Sequence, residues 1–269
     1  MTKQPTFYIT HGAGPCFWTD WPAPFGPHAF DGLKNYFSGM LGELPVEPQA
    51  ILMISAHWEA PVPTVSTAAA PRMHFDYSGF PEHTYRLNHA ARGFPPLGSL
   101  IQDLLNEAGF TARADRSRGY DHGVFVPMLI IDPEATIPIV MLSMEQSLDA
   151  SRHLAMGKAL AALRAEGVLI IGSGSSFHNL GTIGSSADCE SSVFDGWLNE
   201  TLCQVPPEER TERLSNWKRA PGAAASHPRP DHLIPLMVAT GAAQDSPGRR
   251  TFTDVIGGKT YSCFSFGEL

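Results

Sequence analysis

Short apolar runs punctuate the chain, and longer amphipathic stretches separate them. Residues 6–10 (TFYIT), 50–55 (AILMIS), 137–142 (IPIVML) and 168–171 (VLII) are mostly apolar without alternation, the pattern of strands buried on both faces of a sheet. Helical patterns lie between them. Residues 30–40 follow a Trp/Pro/Gly-rich loop, residues 97–108 (LGSLIQDLLNEA) are amphipathic and closed by Gly109, and residues 150–165 stop at Gly167. Glycine ends helices because it accepts the left-handed conformation there. Helices are also predicted over 191–203 and 207–217. Another is predicted over 230–240, from Pro230 at its start, Asp231 in its first turn and Gly241 at its end. Residues 260–266 (TYSCFSF) alternate as an edge strand would. No repeat or low-complexity tract divides the chain, and residues 220–225 (APGAAA) are too few for a linker. The pattern predicts the α/β class: one domain over residues 1–269, with a central mixed, largely parallel sheet flanked by helices.

Composition narrows the function classes. The 43% hydrophobic content of the 269 residues is enough for a sizeable core. No stretch of eighteen apolar residues and no signal-peptide pattern is present, so a cytoplasmic protein without a membrane partner is expected. A formal net charge of −8 with no Lys/Arg block argues against nucleic acid as a partner. No seam specifies an assembly, which leaves a monomer or small homo-oligomer. Cys16, Cys189, Cys203 and Cys263 lie far apart without a Cys-x-x-Cys, so they are expected as buried or semi-buried thiols rather than disulfides or zinc ligands. The 23 prolines and 25 glycines predict ordered irregular loops, where functional residues concentrate.

The eleven histidines carry the candidate chemistry. His11 directly follows the first apolar run, His57 the second, and His178 comes shortly after the run at 168–171. Ligands of open α/β sheets bind beyond the carboxyl ends of the strands. A single histidine after a strand is usually a hydrogen-bonding core or loop residue, but three so placed predict a metal site. His232 is expected in the first turn of the helix at 230–240, where the helix dipole favours a neutral, ligating ring. His227 nearby and His122, in Gly119-Tyr120-Asp121-His122-Gly123, each read equally well as turn residues or as site residues. His28, His74, His83, His89 and His153 are expected in polar loops or on a helix surface. Imidazole suits zinc, iron and copper, so the ligands alone do not select the metal. Gly12-Ala13-Gly14 and Gly172-Ser173-Gly174 match no phosphate-binding fingerprint. They are expected as sharp turns that let backbone approach the site.

Taken together, five separated motifs resemble the DOPA-dioxygenase-type branch of the class III (LigB-like) extradiol ring-cleavage dioxygenases. They are Thr10-His11-Gly12, Ser55-Ala56-His57-Trp58, Gly119-Tyr120-Asp121-His122-Gly123, Gly172-Ser173-Gly174 with His178-Asn179-Leu180, and the segment from His227-Pro228-Arg229 through Asp231-His232 to Leu236. The loop Gly79-Phe80-Pro81-Glu82 matches as well. The resemblance implies one non-haem divalent metal ion, Fe(II) for activity with Zn(II) as a possible bound ion, and a small catecholic substrate cleaved with O₂. It implies His11, His57 and His232 as metal ligands and His178 as either a fourth ligand or the catalytic base. His122 is implied as the catalytic residue that hydrogen-bonds substrate or the oxygen intermediate. Relatives with a 2-His-1-carboxylate triad have a carboxylate where His232 stands, with Glu59 and Asp231 as nearby alternatives here. Two other readings remain: a zinc hydrolase with Glu59 as general base, and a non-catalytic metal-binding protein on the same scaffold.

Overall fold

The apolar runs at 6–10, 50–55 and 168–171 become neighbouring central strands because each has two buried faces to fill. A computed structural model describes residues 2–184 and 189–269. Its strands are β1 (Thr6–Thr10), β2 (Ala50–Ala60), β3 (Thr64–Ser66), β4 (Arg113–Asp115), β5 (Ile139–Glu145), β6 (Val168–Gly174), β7 (Gly248–Ile256) and β8 (Lys259–Phe266). They form one sheet in the order β4-β3-β5-β2-β6-β1-β8-β7. The pairs among β5, β2, β6 and β1 are parallel, as is β3 with β4. β8 runs antiparallel to β1 and β7, and β3 antiparallel to β5. The sheet is thus mixed and largely parallel, as the strand–helix alternation predicts.

Side chains alternate between two cores. Tyr8, Leu52, Ile54 and Ile170 face one layer, with Ile101 of α2 (Pro95–Glu107), Leu154 of α4 (Ala150–Leu160), Leu198 of α5 (Cys189–Cys203), Leu214 of α6 (Pro207–Ser215) and Met237 of α8 (Ile234–Ala243). Phe7, Ile9, Met53 and Ile171 face the other, with Phe37 of α1 (Asp31–Gly39) and Phe125 of α3 (His122–Ile131). The short α7 (Ala223–Ser226) completes the set among the described residues. Burying each such aliphatic or aromatic side chain contributes about 1.5–3 kcal/mol. No helix among the described residues is long and apolar enough to cross a membrane.

Four expectations need correction. Residues 260–266 are not at an edge, because β7 covers β8. β7 carries the exposed Arg249 and Arg250, charged residues of the kind that protect sheet edges. The last predicted helix begins at Ile234, not Pro230, with Pro235 in its first turn. It runs through Gly241, where a Cβ would lie 2.1 Å from the Leu154 carbonyl oxygen of α4, so this glycine is a packing contact rather than a stop. Finally, Cys189 is exposed, while Cys16 and Cys263 are buried and Cys203 is intermediate; all four are free.

Candidate active site

The parallel register brings three strand ends level. Thr10 pairs with Gly174, and Ser55 with Ser173. His11 is the next residue after β1, and its N–H donates to the Gly174 carbonyl at 3.0 Å. His57 lies inside β2 rather than after it. There β2 advances from Ile54 to Glu59 while β5 advances only from Leu142 to Met144, a bulge that re-aims side chains. His232 precedes α8, and its carbonyl accepts from the Tyr8 hydroxyl at 2.8 Å and the Ser175 N–H at 3.0 Å. That contact explains a glycine. A Cβ on Gly174 would lie 2.0 Å from the His232 carbonyl oxygen, so only glycine admits the segment. Gly172-Ser173-Gly174 is therefore strand, not a turn, whereas Gly12 turns the chain with φ of 89°.

The hydrogen bonds determine which ring nitrogens are bare. The Ser173 hydroxyl donates to the Gly123 carbonyl and so can only accept from His11 Nδ1, at 3.0 Å. Asp76 Oδ2 lies 3.5 Å from His57 Nδ1, and Asp231 Oδ2 lies 3.1 Å from His232 Nδ1. A carboxylate only accepts, so Nδ1 carries the proton in His232; in His57 the charge of Asp76, at ion-pair rather than hydrogen-bond distance, favours the same tautomer, which leaves Nε2 its lone pair. The Nε2 atoms of His11 and His57 face each other at 3.1 Å. One ring nitrogen from each of His11, His57 and His232 lies within 4.8 Å of the others. Facing lone pairs repel unless a cation lies between them. Two nitrogens about 2.1 Å from one ion and about 95° apart are about 3.1 Å from each other, so the donor set fits a divalent metal. The partners on Nδ1 are those that orient ligating imidazoles.

Burial keeps these rings neutral. It pushes His11 and His232 well below the ordinary histidine value, with neighbouring histidines adding to the effect. Burial and His122 bring His57 down to about 4 against the pull of Asp121 and Asp76. Neutral imidazole is the form a metal requires.

His122 opens α3, with its ring centroid 3.9 Å from that of His57. Its Nδ1 and backbone N–H both donate to Asp76 Oδ1, at 2.9 and 3.0 Å. Asp76 thus bridges His122 and His57. Burial works to raise its pKa, but the hydrogen bonds and charges of His122 and His57 win and hold it at about 2. His178 stacks on His232 at 3.4 Å and 17°, with Nδ1 3.9 Å from Asp231 Oδ1. It belongs to a second group, with Asp231 and His232, that shares His232 with the three-nitrogen cluster. Burial lowers its pKa, and Asp231 opposes that.

Other candidates fall outside the cluster. His227 is buried behind the site, and its Nε2–H donates to the Ser176 carbonyl at 2.9 Å. His153 and His89 are buried, not surface residues. Both carboxylate oxygens of Glu59 contact Arg229 at 2.8 Å, which engages the base a zinc hydrolase would need.

A cavity of about 270 Å³ opens onto His11, His57, His122, His178 and His232. A wider groove of about 500 Å³ beside α4, α6 and α8 meets none of them.

Residues 5–263 match the family model described as the catalytic LigB subunit of aromatic ring-opening dioxygenase. The chain belongs to the LigB family. It is 38% identical over 251 residues to a 4,5-DOPA dioxygenase extradiol of Beta vulgaris, covering 90% of this chain and 87% of the relative. It is 34% identical over 245 residues to the protein of the same name from Escherichia coli K12, covering 90% and 86%. The crystal structure of an uncharacterized Escherichia coli K12 protein superposes with a TM-score of 0.76 at 26% identity, covering 98% of this chain and 100% of that one. Membership makes this LigB-family protein a class III extradiol dioxygenase, an oxidoreductase with a divalent metal centre.

The segment Gly119–Gly123 acts as a scaffold around His57. Asp121 accepts from the Ser55 hydroxyl at 2.6 Å and from Arg118 at 2.6 Å, and Arg118 also donates to the His57 carbonyl at 3.1 Å. On Gly123 a Cβ would lie 2.6 Å from Ser55 Oγ and 3.1 Å from the His57 ring. Asp76 escaped sequence reasoning altogether. Its only signal was a place in the histidine-rich loop at 72–92.

Proposed function

We propose that this enzyme opens the ring of a catechol beside its two hydroxyls with O₂, using Fe(II) held by His11, His57 and His232. The observation that carries the proposal is the three bare ring nitrogens at the end of an aromatic-lined cavity. An iron ion held there supplies Lewis acidity toward the catechol oxygens and redox access to O₂.

In this reading the remaining residues move and hold protons. His178, kept neutral by burial, takes a phenolic proton at a ring nitrogen. Asp231 Oδ1, 3.9 Å from its Nδ1, then stabilises the imidazolium. The buried Asp231 Oδ1 has no hydrogen-bond partner before that proton arrives. His178 is therefore assigned as base rather than fourth ligand. His122 keeps Nδ1–H on Asp76, which leaves Nε2 to accept a hydrogen bond when neutral and donate one once protonated. Asp76 positions both His122 and His57. The cavity's apolar walls exclude water and strengthen each of these interactions.

The test is oxygen uptake by the anaerobically Fe(II)-loaded protein on mixing with simple catechols and ¹⁸O₂. Expected is a yellow ring-opened product carrying both labelled atoms. No uptake with any catechol, or no label in the product carboxylate, contradicts the proposal.

A further inference from the structure

Apart from its five histidines, the cavity lining is mostly apolar. Phe25, Phe30, Phe80, Phe177, Leu180 and Ile256 belong to it. Phe25 and Phe30 stack at 6.1 Å and 24°. Phe80 closes over Gly14, where a Cβ would lie 3.0 Å from its ring. The hydroxyls of Tyr77, Thr10 and Ser175 on the wall are already engaged by the protein. Tyr77 donates to the Thr84 carbonyl at 2.7 Å, Thr10 to the Ser262 carbonyl at 3.0 Å, and Ser175 to the Phe177 carbonyl at 2.7 Å. Among the described lining residues there is no carboxylate, ammonium or guanidinium; the only ionisable groups besides Tyr77 and Tyr261 are the five histidines.

We infer that this cavity selects a catechol whose ring substituent is uncharged and apolar, not an amino-acid side chain. The inference rests on the ring-cleavage reading above for the placement of the diol at the histidines. With the diol there, the substituent packs against the aromatic side chains of the same lining. A cavity of roughly 150 Å³ suffices for benzene, so about 270 Å³ holds the ring and a substituent of a few heavy atoms. A carboxylate or ammonium carried against those aromatic walls loses water and meets no ionised partner among the described lining residues, which is strongly unfavourable. An alkyl or alkenyl group loses only water it is better without. The same cavity therefore discriminates against the zwitterion of DOPA, the compound for which the named relatives are called.

The experiment compares 4-methylcatechol, 4-propylcatechol and DOPA on the Fe(II)-loaded full chain. Binding is measured anaerobically from the absorbance change, and kcat/KM is measured after O₂ is admitted. The expected order in both is propyl, methyl, DOPA, with a gain of about fourfold per added methylene and a DOPA deficit on the order of 100-fold. DOPA equal to or better than 4-propylcatechol, with normal oxygen uptake, overturns this inference and leaves ring cleavage standing. The expected binding order without oxygen uptake supports the inference and overturns ring cleavage. No binding of any catechol overturns both. Leu180 is 66% exposed at the rim, so Leu180→Arg tolerates a charge in the fold. It should shift the propyl-to-DOPA ratio about tenfold toward DOPA; an unchanged ratio contradicts the placement of the substituent beside Leu180.

Discussion

His11 and His153 are equally hidden from solvent, at 1% and 0% exposure, yet they have opposite chemistry. The His153 ring is complete. Its Nε2 accepts from the Glu145 N–H at 3.0 Å, and its Nδ1 donates to the Asp149 carbonyl at 2.6 Å. The His11 ring is held on one side only, by Ser173, and its other nitrogen faces the equally bare nitrogen of His57. Burial makes both rings neutral, so burial does not distinguish a structural histidine from a reactive one. Within this pair, the protein occupies both ring nitrogens of His153 but only one of His11, whose other nitrogen faces that of His57.

That contrast can be broken most severely at His57. His57→Ala should abolish metal retention and lower ring cleavage by at least about 10⁴-fold, because two nitrogens hold a divalent ion poorly. His153→Gln should keep the full metal content, measured by mass spectrometry after desalting. A smaller effect is expected at His122. His122→Ala should retain metal and lower kcat by about 10²–10³-fold, the usual range for one acid–base group; loss of the metal instead would make it a ligand. Asp76→Asn preserves shape but removes the charge that fixes two rings. It should cost about 10–100-fold in metal affinity or turnover, and the pH profile of kcat should move with it. An unchanged profile would reduce Asp76 to a packing role.

The smallest effect concerns acid. Burial first, and only partly offset by its bond to Ser176, brings His227 down to about 4. In the unfolded chain its value is about 6.5. The unfolded state therefore takes up the proton first. The stability this group contributes is complete above about 6.5, falls as pH drops, and is gone near 4. At pH 5 the loss is about 2 kcal/mol. Urea midpoints of the chelated protein at pH 7 and pH 5 should show it. His227→Gln should lose less on acidification, and an equal loss would contradict the assignment.

Much of this arrangement was legible in the residues. The unbroken apolar runs identified β1, β2 and β6, and the positions of His11 and His57 relative to them predicted convergence. What failed has physical causes. α3 is apolar on every side because it is buried on every side, so it lacks the amphipathic period that marks a helix. β3 and β4 are three residues each, too short to alternate visibly. His232 was placed in a helix because Pro230 and Pro235 both make good first-turn residues, and the chain uses the second. Asp76 lies in an irregular loop, and only the fold brings it 2.9 Å from a histidine 46 positions away.

The division of labour among the histidines is tested most directly by X-ray absorption of the Fe(II)-loaded protein beside its His178→Ala variant. The account predicts three imidazole nitrogens on iron in both, with the variant losing only turnover. Loss of one imidazole on replacing His178 would contradict it, because the ring assigned to the proton would then be holding the metal.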